Sequence, residues 1–222
     1  DHAAHLGAAA ARGVEDLAGV AHGGVVEDAE DADGALDLVT GGNLHDAIDG
    51  ELGDRDHAFV AQIVSLPTET DIARDIGTNI DPDAILIGRK TVRTAVGQNL
   101  APLLSSTYDA LTVSESFTPN AAGAGRRALR NTCLELLSAG IREKGIPLAE
   151  RQFATADNMT DRFGALSILA QHPGMARETA LDDFARRFES DPLILDKWFA
   201  LQASIPEIET LHRVKNLMSH KG

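Results

Sequence analysis

Two aspartate–proline pairs, Asp81-Pro82 and Asp191-Pro192, most strongly constrain how this chain can fold. Aspartate is a favoured N-cap and proline is favoured at the first helical position, so each pair predicts a helix start. After the first pair, apolar residues recur at helical spacing, at Ile85, Val92, Val96 and Leu100. From Phe59 onward the sequence shows little of the period-two alternation that indicates strands. The predicted class is therefore all-α.

Glycine and proline residues divide this part of the chain into successive helices. The first is predicted from 82 to about 108. A connection at 114–125 precedes a helix whose apolar face carries Leu129, Cys133, Leu136, Leu137 and Ile141, and Gly145 and Pro147 are predicted to end that helix. Further helices are expected at 148–157 and 161–171, around Leu181, Phe184 and Phe188, after Asp191, and at 207–219. Short connections favour antiparallel neighbours, so we expect stacked antiparallel helical hairpins, similar to an α-solenoid.

The first 57 residues differ in composition from the rest. They contain 14 Asp and Glu but only Arg12 and Arg55 as bases, whereas beyond them 20 acidic and 18 basic residues nearly balance. The segment has no Phe, Trp, Tyr, Lys or Pro. Such a sequence buries little apolar area against the entropy of ordering its backbone, which predicts an acidic, disordered or loosely helical leader. We therefore place a boundary at 57, before a helical domain at 58–222, and interpret the leader as non-native, from translation in another frame or after a misplaced start.

Charge and cysteine content exclude several classes of function. A net charge of −14 argues against nucleic acid as a partner, because phosphate backbones require a basic face. No apolar run is long enough to cross a membrane, and the first residues lack the pattern of a signal peptide. The single cysteine, Cys133, is expected to be a buried apolar residue. The chain is predicted to be cytoplasmic.

Three clusters of charged residues are candidate binding sites. Clustered carboxylates at Asp28, Glu30, Asp31 and Asp33 resemble a calcium loop, but with Gly34 at the sixth position the first ligand position is Ala29, so a solvated acidic run is favoured. A second group could bind a transition metal weakly, and it comprises His45, Asp46, Asp49, Asp54, Asp56 and His57. Arg126, Arg127 and Arg130 could hold an anion, but a solvated helix face or an ion pair with a neighbouring domain explains them equally well.

Four stretches of the sequence resemble a known family. They are residues 61–69 (AQIVSLPTE), 126–134 (RRALRNTCL), 152–161 (QFATADNMTD) and 191–203 (DPLILDKWFALQA). In this order and spacing they resemble the C-terminal helical domain of bacterial aminopeptidase N, over about 59–220. Within these stretches, Thr160 or Asp161 is predicted to cap a helix and Asn158 to hold a turn, while Trp198 and Phe199 are expected in the core.

The resemblance implies a zinc-dependent exopeptidase as the parent enzyme, whose helical domain encloses the substrate chamber. In that family an HExxH motif and a distant glutamate hold zinc, and a GxMEN stretch holds the free amine of the peptide. Neither motif is present, and no two of the eight histidines lie four residues apart. No catalytic, cofactor-binding or metal-binding residue is therefore assigned, and zinc is expected only in the parent.

The predicted function is that of a non-catalytic fragment, truncated at both ends. Its expected partners are the missing catalytic and C-terminal segments of the parent enzyme, and self-association through exposed apolar surface is a further expectation. The alternative is an independent helical scaffold that binds a protein partner. A third interpretation, an enzyme with an unrecognised site, lacks convergent acid, base or nucleophilic residues.

Overall fold

A computed structural model describes residues 56–112 and 117–220. These residues form ten α-helices and no strands, in two compact units, one that extends up to Gly145 and one that starts at Ile146. The helices of the first unit are α1 (His57–Val64), α2 (Glu69–Ile76), α3 (Pro82–Asn99), α4 (Ala101–Ala110) and α5 (Ala121–Gly140). The others are α6 (Arg142–Thr155), which crosses the boundary between the units, α7 (Met159–Ala170), α8 (Met175–Arg187), α9 (Pro192–Ala203) and α10 (Thr210–Leu217). The prediction of an all-α fold of stacked helical hairpins is confirmed.

The two aspartate–proline pairs begin helices as predicted. The Asp81 carboxylate accepts hydrogen bonds from the backbone N–H groups of Asp83 and Ala84, at 3.0 and 3.1 Å. Asp191 accepts in the same way from Leu193 and Ile194, at 3.1 and 3.3 Å. In each helix the proline occupies the first helical position. A backbone N–H at that position would have no partner within the helix, so the N–H that proline lacks is not needed there.

Several predicted boundaries were wrong. The helix predicted from 82 to about 108 is two helices, α3 and α4, which meet at Leu100. Helix α5 begins at Ala121, inside the predicted connection, and ends at Gly140. Helix α6 starts at Arg142 and contains Pro147, which was predicted to be a stop. Pro147 is the sixth residue of this helix and removes one backbone hydrogen bond, the one to the carbonyl of residue 143, but the helix continues through it.

In the first unit, helix α5 packs against α1, α3 and α4. Its predicted apolar face is buried, including Leu129, Leu137 and Cys133, and burial raises the pKa of the Cys133 thiol to about 12. Arg93 of α3 forms an ion pair with Glu135 of α5 at 2.6 Å, and Gly97 lies against Gly140 further along both helices. Residue numbers thus rise together along this contact, so α3 and α5 run in the same direction.

In the second unit, α8 packs against α7 and α9 through aromatic and aliphatic side chains. Phe184 is fully buried, with its ring centroid 5.8 Å from that of Phe163 and 4.7 Å from that of Phe188. The predicted core residues Leu181 and Trp198 are also buried. Helix α10 packs on α9 but has no buried residue of its own.

Some sequence predictions fall on residues that the structure does not describe. Of the predicted leader at 1–57, only Asp56 and His57 are described, where Asp56 caps α1 by accepting a hydrogen bond from Phe59 N–H at 3.0 Å. The expectation of disorder at 1–55, the calcium-loop residues 28–34, and His45, Asp46, Asp49 and Asp54 lie outside the described residues. Within the described ranges, no helix combines the length and apolarity needed to cross a bilayer.

Candidate functional site

The LPTE stretch fixes the turn between α1 and α2. The Thr68 side chain accepts from the backbone N–H of Asp71, and Asp71 accepts from the backbone N–H of Thr68, which is a capping box. Arg89 of α3 donates to the Pro67 carbonyl at 2.7 Å and to the Glu69 carboxylate at 3.1 Å. This part of the family resemblance therefore has a structural role.

The arginines of the RRALRN stretch contact aromatic rings. The Arg127 guanidinium lies over Phe117, 4.7 Å from the ring centroid, and the Arg130 guanidinium lies 5.9 Å from the centroid of Tyr108. Both arginines and Arg126 are half-buried. Cation–π contacts of this kind contribute about 0.5–2 kcal/mol each, depending on desolvation. Arg127 and Arg130 thus each have an aromatic partner among the described residues, and the alternatives of an anion site, a solvated helix face or an ion pair with a neighbouring domain stay predictions.

The DNMTD stretch begins α7, but its cap differs from the predicted one. Asn158 is the N-cap, accepting from the backbone N–H of Asp161 at 2.9 Å, whereas Thr160 and Asp161 lie inside the helix. The Asn158 amide also donates to the buried Asp161 carboxylate at 2.8 Å. Gln152 of α6 donates to the Asp161 carbonyl at 3.0 Å, which joins the start of α7 to α6. The prediction that Thr160 or Asp161 caps the helix and Asn158 holds a turn was wrong about the cap, because Asn and Asp are comparable N-caps and the helix start was placed too late.

The DKWFALQA stretch supplies core contacts on α9. Trp198 is 5% exposed, and its indole N–H donates to the Leu181 carbonyl of α8 at 3.0 Å. Its ring centroid lies 5.1 Å from that of Phe199 and 5.3 Å from that of His220. Trp198 is in the core as predicted, and Phe199 is half-buried at its edge.

A polar network that the sequence prediction missed joins α8, α9 and α10. Arg177 is buried and donates to Glu178 at 3.0 Å and to Glu207 at 2.7 Å. Arg213 of α10 donates to the same Glu178 carboxylate at 2.9 and 3.3 Å, and to the buried Gln202 amide oxygen at 3.2 Å. Arg213 therefore joins α10, which has no buried residue of its own, to α8 and α9.

Hydrogen bonds set the charge states in this network. The hydrogen bond from Arg213 is the largest cause that lowers the pKa of Glu178, with Arg177 adding to it. For Arg177, burial disfavours the charge, but the hydrogen bonds to Glu207 and Glu178 outweigh burial and raise its pKa. Glu178 and Arg177 are therefore both ionised at neutral pH, as an ion pair requires.

Replacing Glu178 with glutamine should destabilise the second unit at neutral pH. Because the folded-state pKa of Glu178 lies below its ordinary value of 4.5, its carboxylate stabilises the fold above that pH. The contribution is lost as the pH falls through the lowered pKa. We expect a loss of no more than about 1 kcal/mol, since the Glu178 side chain is 47% exposed and solvent screens the pair. Urea unfolding at pH 7 and pH 3 measures the difference, which should shrink at the lower pH.

Asp182→Asn is the matched control for this prediction. Asp182 is exposed on the same helix, and in the described part of the chain its carboxylate forms no salt bridge. We expect this substitution to change stability by less than about 0.5 kcal/mol at both pH values. Equal pH dependence in wild type and the Glu178 variant would contradict the assigned role of Glu178.

The described residues do not fit a zinc site. Across 56–112 and 117–220, no three His, Cys, Asp or Glu side chains come together so that they could hold a metal ion. Of the histidines in those ranges, His220 contacts the rings of Trp198 and Phe199. No step of metal chemistry can be assigned to these residues.

Comparison with known proteins identifies the family. A family model described as "Domain of unknown function (DUF3458_C) ARM repeats" matches residues 25–222. The match therefore starts well before Phe59, near which the sequence resemblance to aminopeptidase N begins, and it includes 25–57 of the predicted leader. The boundary at 57 itself stays a prediction.

Aminopeptidase N from Caulobacter vibrioides is 37% identical over 191 residues, which are 85% of this chain and 22% of that protein. Aminopeptidase N from Escherichia coli is 33% identical over 169 residues, 75% of this chain and 19% of that protein. The chain thus spans about a fifth of the length of these relatives. A crystal structure of Legionella pneumophila aminopeptidase A in complex with aspartic acid has the same fold, with a TM-score of 0.79 and 20% identity over 98% of this chain and 25% of that one. The chain therefore belongs to the DUF3458_C family of ARM repeats and resembles the C-terminal helical domain of aminopeptidase N.

Proposed function

We propose that this chain is a non-catalytic helical scaffold of an enzyme similar to aminopeptidase N. The observation that carries the proposal is the role of the motif residues that it shares with that family. Thr68, Asn158 and Asp191 cap helices, and Trp198 and Cys133 fill the core. Residues that specify an arrangement of helices support a scaffold, which would position a catalytic domain and enclose its substrate chamber.

The partners in this proposal are the catalytic and remaining C-terminal segments of the parent enzyme, which would supply zinc and the hydrolysis of N-terminal residues from peptides. A cytoplasmic location is part of the proposal, supported by a single buried thiol and no disulfide. The alternative is an independent scaffold for a protein partner. It is favoured by exposed apolar residues on the second unit, including Ile208, Leu211 and Met218.

Two activity measurements test the scaffold. The full chain, shown by circular dichroism to be folded, should not hydrolyse alanine, leucine or arginine arylamides with or without added zinc. The Caulobacter vibrioides aminopeptidase N is the positive control. A chimera of that protein in which 58–220 of this chain replace the aligned segment should keep arylamide hydrolysis within about tenfold, a change of about 1.4 kcal/mol in the barrier.

The outcomes separate the interpretations. The purified chain would have its own active site if it hydrolysed the arylamides in a zinc-dependent way and if this activity co-purified with the chain through successive purification steps. A chimera that is folded but inactive would contradict the scaffold role and favour an independent function.

A further inference from the structure

Helix α10 is the least buried of the described helices. None of its own residues is buried, whereas each of the other described helices contains at least one buried residue. It packs on α9, and Arg213 donates to the Glu178 carboxylate of α8 at 2.9 and 3.3 Å and to the Gln202 amide oxygen of α9 at 3.2 Å. Helix α10 is therefore held on the surface of α8 and α9 and inserts no side chain into their core.

The chain just after α10 covers aromatic rings of α9. The ring centroid of His220 lies 5.3 Å from that of Trp198 and 5.3 Å from that of Phe199. Trp198 is buried and Phe199 is half-buried in this arrangement. Residues 210–220, which we call the α10 segment, would uncover these two rings if they moved away from α9.

A hinge for such a movement lies directly before α10. Glu207 is fixed, because it accepts from buried Arg177 of α8 at 2.7 Å. The next residue, Ile208, is 95% exposed. Rotation of the backbone there would break the hydrogen bond from the Thr210 hydroxyl to the Ile205 carbonyl but would leave the ion pair of Glu207 in place. The α10 segment can thus move while the chain before it stays attached.

Opening at this hinge leaves the charged groups of α8 paired. Arg177 donates to Glu178 at 3.0 Å, so the Glu178 carboxylate keeps an ion pair when Arg213 leaves. In the described part of the chain, the Gln202 amide nitrogen is buried and has no hydrogen-bond partner, which destabilises the closed arrangement. Water that reaches Gln202 on opening would bind this nitrogen and replace the hydrogen bond from Arg213. The open arrangement therefore leaves no buried charge alone.

From this arrangement we infer that the α10 segment is a strap, which opens and closes as one unit over Trp198 and Phe199 while α7, α8 and α9 stay folded. The ion pair between Arg213 and Glu178 holds the closed state, so salt shifts the balance toward the open state. A detached helix of eight residues is too short to be stable in water, so α10 unfolds when the strap opens. The inference goes beyond the proposed scaffold function and does not rest on it.

NMR hydrogen exchange of the native 222-residue chain tests the strap. The hydrogen-bonded amides of α10 extend from Arg213 to Met218. A strap that opens as one unit predicts nearly equal protection along these amides, at least about a hundredfold below that of core amides in α8 and α9. Raising NaCl from about 0.05 to about 0.5 M should speed exchange in α10 about twofold relative to an unstructured peptide, because salt screens the ion pair.

Arg213→Gln should favour the open state. We expect exchange in α10 to be about two- to fivefold faster, the range for a partly exposed ion pair, with little salt dependence left. Arg213→Lys keeps the charge and should restore part of the protection. Lys215→Gln is the matched control, since it removes the same charge from the same helix. Lys215 is exposed and forms no salt bridge within the described ranges, so this variant should exchange like wild type.

His220→Ala tests whether the segment moves as a unit. His220 contacts the aromatic rings at the far end of the segment from the hinge. In a strap, loss of that contact should speed exchange at every hydrogen-bonded amide of α10 by the same factor, including that of Arg213. In a helix that only frays, the effect would be confined to the last amides.

Four outcomes would overturn the inference. They are protection of α10 equal to that of α8, equal effects of Arg213→Gln and Lys215→Gln, faster exchange of α8 and α9 together with α10 in Arg213→Gln, and an effect of His220→Ala that stops before Arg213. The third would make α10 part of the cooperative core, and the fourth would show fraying. None of these measurements depends on arylamide hydrolysis, so failure here is distinguishable from failure of the scaffold proposal.

Discussion

Trp198→Ala should remove roughly 3–5 kcal/mol from the free energy of unfolding of the second unit. The indole is almost fully buried, and its loss would leave a cavity among α8, α9 and the ring of Phe199. The Leu181 carbonyl would also lose its side-chain donor. Trp198 is the only tryptophan, so far-UV circular dichroism in urea should be used to follow unfolding of every variant.

Two further variants separate the contributions of Trp198. Trp198→Phe keeps most of the ring packing but removes the indole N–H, so we expect a smaller loss of about 1–2 kcal/mol. Leu193→Ala on the same helix is the surface control, because Leu193 is 76% exposed and should change stability by less than about 0.5 kcal/mol. If Trp198→Ala costs no more than Leu193→Ala, the indole does not pack in the core as described.

Local signals in the sequence predicted much of this fold. Asp81-Pro82 and Asp191-Pro192 begin helices because N-capping depends on residues two or three positions apart, which a sequence shows directly. The apolar faces around Leu137 and Phe184 are likewise local patterns, and both are buried. The predicted ends of the helices were less accurate, as at Pro147. A proline near the start of a helix looks the same in the sequence as a proline that follows the end of the preceding helix.

The contacts that hold helices together were not predictable in this way. Arg177 and Glu207 are 30 residues apart, and Glu178 and Arg213 are 35 apart. A charged residue on a helix looks the same in the sequence whether its side chain is solvated or forms an ion pair. The ion pairs of this network could therefore not be predicted from the sequence. The resemblance to aminopeptidase N was detectable in the sequence because it depends on motifs in a fixed order. It identified the family without identifying what Arg127 or Asn158 does.

The largest effect in the first unit should come from Gly97→Ala. Alanine normally stabilises a helix interior by about 1 kcal/mol relative to glycine. At Gly97, however, a Cβ atom would lie 2.0 Å from the Leu136 carbonyl oxygen and 2.8 Å from the Gly140 backbone nitrogen. Because both are backbone atoms, neither can rotate away, and α3 and α5 must separate. We expect a net loss of about 3 kcal/mol in urea unfolding, with faster hydrogen exchange in both helices.

Gly77→Ala distinguishes this clash from ordinary backbone strain. Gly77 ends α2 with φ of 75°, and a Cβ there would have nothing within 4 Å. Its substitution should therefore cost only about 1 kcal/mol, from the left-handed conformation alone. Gly140→Ala should behave like Gly97→Ala, since its Cβ would lie 2.2 Å from the Gly97 carbonyl carbon. If Gly97→Ala on α3 or Gly140→Ala on α5 were as stable as wild type, the close backbone contact between these helices would be wrong. The packing that aligns Arg93 with Glu135 would then be wrong as well.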